Sequence, residues 1–374
     1  MIIELTVKNW ASFRDETVFS FVATREKRLL PRIPEIKKSP ALRISPVAVL
    51  YGGNASGKTN LCNLFFFLKN MMILPPKEGR DIPLDSFALS SDLAKLPTEI
   101  TLTFLANDDK IYKLRIVMTR NAILEETLCI VKRNGEDCLY SRKENQVTLK
   151  SSALQNDEDA KACVRLVASN QLFLGFAGSK NVKKVEKPYF WFTDQLNVLS
   201  PQASFRRFFD LFESNPTDIR DLSRLLHGLD TGICKLEFIE TSLDAVPPVF
   251  SESEWKEKLN DGDLLEVILD GIRYTVSKTN DQLTVKKLVS YHQNSSGNLF
   301  RFDLRQESEG TIRLLNLLPA FIDLEKQDSR AVYVIDELDR SWHYLLSKRL
   351  LEIYLSNCSK NTRTQLLFST HDLM

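Results

Sequence analysis

Hydrophobic and polar residues alternate at the start of the chain and again after residue 98. Ile3, Leu5 and Val7 have polar neighbours, which is the pattern of a strand with one buried face. From residue 98 to about 150 the alternation recurs between the turn sequences Asn107–Asp109 and Asn134–Gly135, which favour hairpins. The pattern predicts an antiparallel β subdomain in the first half of the chain.

Other segments have the continuous or helical hydrophobic patterns of α/β structure. Val47–Tyr51 is a continuous apolar run, typical of a strand covered on both faces. Gly52 and Gly53 follow it, and apolar residues then recur at helical spacing from Leu61 to Leu68. After residue 300 the predicted elements are a helix over 310–325, a strand over 331–335, a helix over 341–356 and a strand over 366–368.

The middle of the chain has a different pattern. Phe205, Phe208 and Phe212 recur at helical spacing within 203–228, and short strand patterns follow up to about residue 300. We therefore expect three regions. They are an N-terminal lobe over 1–200, a helical and mixed insertion over 201–300, and a C-terminal lobe over 301–374.

Composition narrows the class of protein. The chain has 374 residues, 43% of them hydrophobic, and 50 basic against 49 acidic side chains, which is ordinary globular usage without a net basic field. The six cysteines show no metal-ligand spacing, so we expect reduced thiols. No apolar run approaches the roughly 20 residues of a membrane span. We therefore expect a cytoplasmic protein that does not bind membranes.

The strongest motif lies between the predicted strand at 47–51 and the helix that follows it. Residues 52–59 fit G-x-x-x-x-G-K-[ST], the phosphate-binding loop. Backbone N–H groups and the helix N-terminus bind phosphates there, while Lys58 reaches the β/γ-phosphates and Thr59 ligates Mg²⁺. The predicted ATP-binding residues are Gly52, Gly53, Asn54, Ala55, Ser56, Gly57, Lys58 and Thr59.

Two carboxylates follow the apolar strand 331–335. Asp336 and Glu337 come directly after it, and strands of such sheets end at the edge where phosphate loops lie. Alone, an acidic pair after a strand is more often a helix cap. Beside a phosphate loop, Asp336 is predicted to hold Mg²⁺ through water, and Glu337 to polarise the attacking water.

Two shorter motifs are ambiguous by themselves. Ser308 and Gly310 precede a predicted helix, where they would ordinarily serve as a cap. His371 ends a predicted strand, and a lone histidine usually indicates nothing. Beside an ATP site, a neutral imidazole at this position can donate to the γ-phosphate.

Taken together, these motifs resemble a known family. GGNASGKT, ESEGT, VIDELDRSWH and FSTHD are similar to the motifs of ABC-type head ATPases of the OLD/RecF/SMC branch, and more narrowly to bacterial AAA-family ATPases of anti-phage abortive-infection systems. Residues 9–13, NWASF, resemble the opening segment of that family. The resemblance implies Walker A residues Gly52, Gly57, Lys58 and Thr59, Walker B residues Asp336 and Glu337, signature residues Ser308 and Gly310, D-loop residues Asp339 and Arg340, and a switch histidine, His371.

The resemblance also implies a fold and an activity. The expected fold is an ABC-ATPase head, a P-loop NTPase with an antiparallel β subdomain and a helical insertion between Walker A and the signature. The signature of one subunit would complete the ATP site of another, so a head-to-tail homodimer or higher oligomer is expected. We expect slow ATP hydrolysis with Mg²⁺, because the signature is Ser-Glu-Gly-Thr rather than LSGGQ.

Departures from the family pattern also matter. A glutamine for the Q-loop is not evident, and Gln171 is a candidate by position only. The chain ends three residues after His371, where relatives usually continue, so we expect a truncated or partial chain.

Two functions follow as hypotheses. The first is a nucleotide-controlled switch or scaffold for a separate toxic effector in anti-phage defence, since no second set of catalytic or metal-binding residues is evident. The alternative is a DNA-clamping ATPase of RecF or SMC type in repair or recombination. Its candidate basic clusters are Lys180, Lys183, Lys184 and Lys187, Lys286 and Lys287, and Arg206 and Arg207.

Overall fold

The computed structural model forms two units. It describes residues 1–24, 29–37, 42–89, 92, 95–201, 222–223, 226–229, 231–246, 251–269 and 271–371. The first unit comprises Met1–Pro201, Asp323–Leu338 and Leu351–Met374, and the second comprises Gln202–Ile322 and Asp339–Leu350. Most of the helix predicted over 203–228, including its phenylalanines and Arg206 and Arg207, lies outside the described residues.

The elements agree with the alternation of patterns along the chain. The strands are β1 (Ile2–Lys8), β2 (Thr17–Ser20), β3 (Glu35–Ile36), β4 (Leu42–Arg43), β5 (Val47–Tyr51), β6 (Thr98–Leu105), β7 (Ile111–Met118), β8 (Ile123–Lys132), β9 (Gly135–Lys143), β10 (Gln146–Leu149), β11 (Leu196–Leu199), β12 (Ile233–Thr241), β13 (Leu264–Leu269), β14 (Ile272–Thr279), β15 (Gln282–Gln293), β16 (Leu299–Asp303), β17 (Val332–Ile335) and β18 (Gln365–Thr370). The helices are α1 (Lys58–Ile73), α2 (Ser152–Gln155), α3 (Glu158–Leu166), α4 (Phe173–Ser179), α5 (Lys183–Phe190), α6 (Glu252–Lys258), α7 (Glu309–Glu325) and α8 (Tyr344–Asn357).

An antiparallel sheet of seven strands occupies the first unit. Its strand order is β10-β9-β8-β7-β6-β1-β2, so the predicted meander extends through β1 and β2. The turn at Gly135 has a φ of 131°, which favours glycine because side chains rarely adopt it. The predicted antiparallel β subdomain is therefore confirmed.

A second sheet of the first unit is parallel. Its order is β11-β17-β18-β5, and the register pairs Leu199 with Ile335, Ile335 with Phe368, and Thr370 with Tyr51. In a parallel sheet the carboxyl ends of all strands lie at one edge. That edge therefore carries the loop after β5 and the residues that follow β17 and β18.

Helix α1 connects these two sheets through the core of the first unit. Leu64, Phe65 and Leu68 are fully buried, and the same cluster contains Leu102 of the antiparallel sheet and Val334 of the parallel one. Burying each such side chain stabilises the fold by about 1.5–3 kcal/mol. The helix that follows the phosphate loop is therefore firmly held.

The second unit contains a sheet in the order β12-β15-β14-β13, with β16 paired to β15. Arg273 on β14 is 3% exposed; it forms an ion pair with Glu266 and donates to Asn316 Oδ1 at 2.7 Å. A buried guanidinium requires such partners, because burying it alone costs several kcal/mol.

No helix among the described residues is long and apolar enough to span a membrane.

The expectation that every cysteine is reduced is wrong for two of them. Cys129 on β8 and Cys138 on β9 are register partners and form a disulfide. Opposed positions on neighbouring strands bring two side chains together, although these residues are nine apart in sequence. Cys62, Cys163, Cys234 and Cys358 are free thiols.

A buried carboxylate ties the antiparallel sheet to α4. Glu126 on β8 is fully buried, and it accepts hydrogen bonds from the Tyr140 hydroxyl at 2.6 Å and from the backbone N–H groups of Phe173 and Leu174 at 2.6 and 2.9 Å. Burial raises the pKa of Glu126, and the Tyr140 hydrogen bond opposes that rise. The network replaces the hydration that this carboxyl group loses on folding.

Replacing Tyr140 with phenylalanine is expected to lower the free energy of unfolding by about 1–3 kcal/mol, because a buried acceptor loses its donor. Burial holds the pKa of Glu126 above its usual value and the Tyr140 bond favours the ionised carboxyl group, so the loss should grow as the pH rises through that raised pKa. Urea denaturation at several pH values measures both effects. Tyr51→Phe is the matched control, because Tyr51 is 69% exposed; equal losses in the two variants would contradict the prediction.

Candidate functional site

The loop between β5 and α1 has the backbone of a phosphate-binding loop. Gly57 is the N-cap of α1 with a φ of 94°, and Ala55 also lies in the left-handed region at 62°. The Lys58 ammonium group donates to the carbonyls of Gly52 and Gly53 at 2.7 and 3.0 Å. The predicted residues 52–59 thus form one compact turn, in which residues 53–56 and Thr59 are exposed.

A segment near the start of the chain supports this loop. A Cβ added to Gly57 would lie 2.6 Å from the Ser12 hydroxyl oxygen, and that oxygen accepts from Asn60 Nδ2 at 2.9 Å. Trp10 Nε1 donates to the Asn60 carbonyl, also at 2.9 Å. Residues 10–13 therefore brace the first turn of α1, and Gly57 is needed for close approach as well as for its φ.

The two predicted carboxylates lie at the carboxyl end of β17. Asp336 is 3% exposed, and its Oδ1 accepts from the Ser369 hydroxyl at 2.5 Å. The same Ser369 oxygen accepts from the Glu337 backbone N–H at 2.8 Å. Glu337 has a φ of 50°, a strained backbone that proteins keep at functional sites when the surroundings enforce it.

Glu337 and the predicted histidine lie side by side. His371 Nε2 is 3.6 Å from a Glu337 carboxylate oxygen, and their side chains are 45% and 30% exposed. Neighbouring strands β17 and β18 both end at this edge, with Ile335 opposite Phe368. The structure therefore brings together Asp336, Glu337 and His371, at the sheet edge from which the phosphate loop also extends.

A buried thiol adds to this cluster. Cys62 on α1 is 2% exposed, and burial and the neighbouring Asp336 carboxylate raise the pKa of Cys62 far above its usual range. The thiol is therefore neutral and hydrogen-bonded to Asp336. Sequence reasoning missed Cys62, because a cysteine at helical spacing among apolar residues gives no sign of what it faces.

Ser369 is the other functional residue that sequence reasoning did not single out. It lies within FSTHD, the motif noticed for its histidine, so its position was available as a signal. Gln171, the candidate by position for the Q-loop, donates instead to the carbonyl of Pro76 at 3.1 Å. Pro76 follows the carboxyl end of α1, about 24 Å of helix from Lys58.

The remaining predicted residues belong to the second unit. Ser308 caps α7, since its hydroxyl accepts from the Thr311 N–H at 3.1 Å. A Cβ added to Gly310 would lie 2.5 Å from the carbonyl oxygen of Ser341, so glycine is required there for close packing. Asp339 precedes that contact, and its backbone carbonyl accepts from the Trp342 N–H at 3.4 Å.

The fold and this cluster define a P-loop ATPase of the ABC type. The family model described as "AAA domain, putative AbiEii toxin, Type IV TA system" matches residues 47–159 and 180–374. The chain therefore belongs to this AAA-domain family, and the predicted resemblance to AAA-family ATPases is confirmed. No curated protein matches the sequence.

Solved structures with low sequence identity align with the whole chain. The SMC head domain from Thermotoga maritima is 12% identical, with a TM-score of 0.37, covering 99% of this chain and 89% of that one. The SmcHead bound to the C-winged helix domain of ScpA is 11% identical, with a TM-score of 0.40, covering 100% and 90%. The recombination mediator RecF bound to ATP is 14% identical, with a TM-score of 0.36, covering 100% and 93%.

Replacing Ser369 with alanine is expected to lower the free energy of unfolding by about 1–3 kcal/mol, because the Asp336 carboxylate loses a donor and the Glu337 N–H loses an acceptor. Urea denaturation gives the change directly. Ser356→Ala is the matched control, since it removes an exposed hydroxyl bonded to the Ile353 carbonyl. Identical midpoints for the two variants would refute the structural role of Ser369.

Proposed function

We propose that this protein binds and hydrolyses ATP and acts as a nucleotide-controlled switch or scaffold for a separate toxic effector in anti-phage defence. One observation carries the proposal: Glu337 lies 3.6 Å from His371, directly after the buried Asp336, at the edge of the sheet that bears the phosphate loop. A carboxylate and an imidazole in such a position suit the activation of water against a terminal phosphate.

Each residue of the cluster has a proposed role. The N–H groups of residues 52–57 and the ammonium group of Lys58 bind the phosphates of ATP. Glu337 orients and polarises the attacking water, and His371 donates to the γ-phosphate. The Glu337–His371 contact supports these roles, because it places the carboxylate and the imidazole side by side at the edge that bears the phosphate loop.

The side chains also suit a magnesium ion. The Thr59 hydroxyl, in the first turn of α1, and the Asp336 carboxylate are hard oxygen donors of the kind that Mg²⁺ prefers. Asp336 already accepts hydrogen bonds from Ser369 and from the Cys62 thiol. This arrangement favours contact with the ion through its water shell; the ion would neutralise charge on the phosphates.

Assembly is the second part of the proposal. By resemblance to the family, Ser308, Gly310 and Asp339 of one subunit complete the ATP site of another copy. The close contact between Gly310 and Ser341 supports a preformed surface for this purpose. ATP would then stabilise a homodimer or higher oligomer by binding to both subunits, and hydrolysis would release it.

The role in defence rests on the family. Its description names a toxin and a type IV toxin–antitoxin system, which supports a role in defence. The one group of three potential metal ligands among the described residues is Cys129, Glu136 and Cys138. Its cysteines are joined in a disulfide, so this group is no nuclease centre, and we place the toxic activity on a partner protein.

Replacing Glu337 with glutamine is expected to leave ATP binding intact and to lower the hydrolysis rate by at least about 100-fold, because the water loses its general base. ATP that is bound but not hydrolysed should then stabilise the homodimer or higher oligomer. Phosphate release and particle mass, with and without Mg·ATP, measure the two effects on protein co-expressed with the product of the neighbouring gene.

Lys58→Ala serves as the comparison, because it should abolish nucleotide binding and leave a mass that ATP does not change. Hydrolysis by Glu337→Gln at the native rate would show that Glu337 is not the catalytic carboxylate. If the particle mass of Glu337→Gln did not depend on ATP, the proposed role as a switch would be wrong.

DNA binding is a second candidate function, favoured by a cavity of about 440 Å³ in the first unit. Four of its lining residues are lysines: Lys110, Lys183, Lys184 and Lys187. Lys110 pairs with Asp108 and Lys187 with Glu186, whereas Lys183 and Lys184 have no ion pair among the described residues. Lysines without ion pairs, gathered at one site, are suited to contact phosphates.

The double variant Lys183→Ala, Lys184→Ala is expected to reduce the steepness of log affinity for duplex DNA against log salt by about 1–2. Fluorescence anisotropy over a salt series measures that slope. The exposed pair Lys143 and Lys150, mutated likewise, is the control. An unchanged slope in the Lys183→Ala, Lys184→Ala variant, or no DNA binding by the native protein, would exclude a DNA-binding site at this cavity.

A further inference from the structure

A buried acidic residue lies immediately before the signature motif. Glu307 follows the short helical turn Leu304–Gln306 and precedes Ser308. Its side chain is only 7% exposed. Burying a carboxyl group is costly unless partners replace its hydration, so the contacts of Glu307 fix where the chain enters α7.

Both partners of Glu307 come from strand β15. Its Oε1 accepts from the Ser290 hydroxyl at 2.5 Å and lies 2.7 Å from His292 Nε2. A carboxyl oxygen accepts hydrogen bonds, so we assign the ring N–H of His292 as the donor. Ser290 and His292 are two positions apart on a strand, so they face the same side of the sheet.

The imidazole is held on its other sides as well. Its ring packs edge-to-face against Phe302 of β16, with centroids 4.9 Å apart. A Cβ added to Gly232 would lie 3.1 Å from His292 Nδ1, so the backbone before β12 lies against another edge of the ring, although the side chain is 29% exposed. His292 therefore has one orientation, set by two neighbouring strands, and it directs Nε2 at Glu307.

Residues 307–310, which carry the signature residues and are here called the signature loop, are consequently fixed at both ends. Glu307 attaches it to β15, and the close contact of Gly310 with Ser341 attaches it to the segment after Asp339. Between these contacts, the Ser308 hydroxyl accepts from the Thr311 N–H and its carbonyl accepts from the Ile312 N–H. All of these groups belong to the second unit.

We infer that His292 and Ser290 are positioning residues for the signature loop: acting through Glu307, they set the orientation in which Ser308 and Gly310 meet a second subunit. The sheet β12–β16 thereby determines whether ATP can join two copies. The inference rests on the proposed function, since it concerns the surface that completes the partner's ATP site.

The test compares His292→Ala with His292→Gln in the full chain carrying Glu337→Gln. Glutamine places an N–H donor near the position of Nε2, and alanine removes it. Because loss of a hydrogen bond to a charged, buried group corresponds to a factor of about ten or more, His292→Ala should raise at least tenfold the protein concentration needed for half-maximal assembly with Mg·ATP. His292→Gln should bring that concentration most of the way back to the value of the parent.

Two further measurements separate positioning from general damage. Affinity of the monomer for Mg·ATP should stay within about twofold, because the phosphate loop belongs to the first unit. Hydrogen exchange at the Thr311 and Ile312 amides should become faster in His292→Ala. Ser290→Ala, which removes only one of the two donors, should give an intermediate effect and serves if His292→Ala does not fold. His227→Ala is the control, since His227 is exposed in the same unit.

The outcomes are distinguishable. A Glu337→Gln parent that binds ATP without assembling would overturn the proposed switch, and this inference with it. If the parent assembles and the His292→Ala and Ser290→Ala variants assemble and exchange as the parent does, the inference alone is overturned. Equal loss of assembly in His292→Ala and His292→Gln would also overturn the inference, because the N–H donor would then not matter.

Discussion

The hydroxyl group of Ser369 is the interaction on which the site depends most directly. It donates to the Asp336 carboxylate and accepts from the Glu337 N–H, so one side chain of β18 fixes both acidic residues that follow β17. The strained backbone of Glu337, with its positive φ, is held by this bond. Since Ser369 lies two residues before His371, the same strand also places the histidine.

The parallel sheet explains how distant parts of the sequence meet. Residues after β5 and after β17 are separated by most of the chain, yet β18 pairs with both strands and brings their carboxyl ends to one edge. The intervening residues supply strands β6–β10 of the antiparallel sheet of the first unit and the whole sheet of the second. A large insertion is tolerated because it leaves the parallel register unchanged.

Buried polar groups give each unit its specific arrangement. Glu126 joins two strands to α4, and Arg273 joins β14 to α7 through Asn316. Glu307 has the corresponding role at the entrance to α7. Each group loses hydration on folding and recovers it only in one geometry, so these contacts specify position more than they add stability.

The sequence by itself determined the class of the protein and most of the candidate site. The phosphate loop, the acidic pair and the strand-terminal histidine were predictable because each is a local pattern whose chemistry requires its spacing. The antiparallel meander was predictable from alternation and turn residues. Only the tertiary structure decided that Ser369, Cys62 and Ser12 support those residues, that Cys129 faces Cys138, and that Glu307 is held by β15. The physical reason is that such contacts join residues far apart in the chain, where strand register rather than local sequence decides which side chains meet.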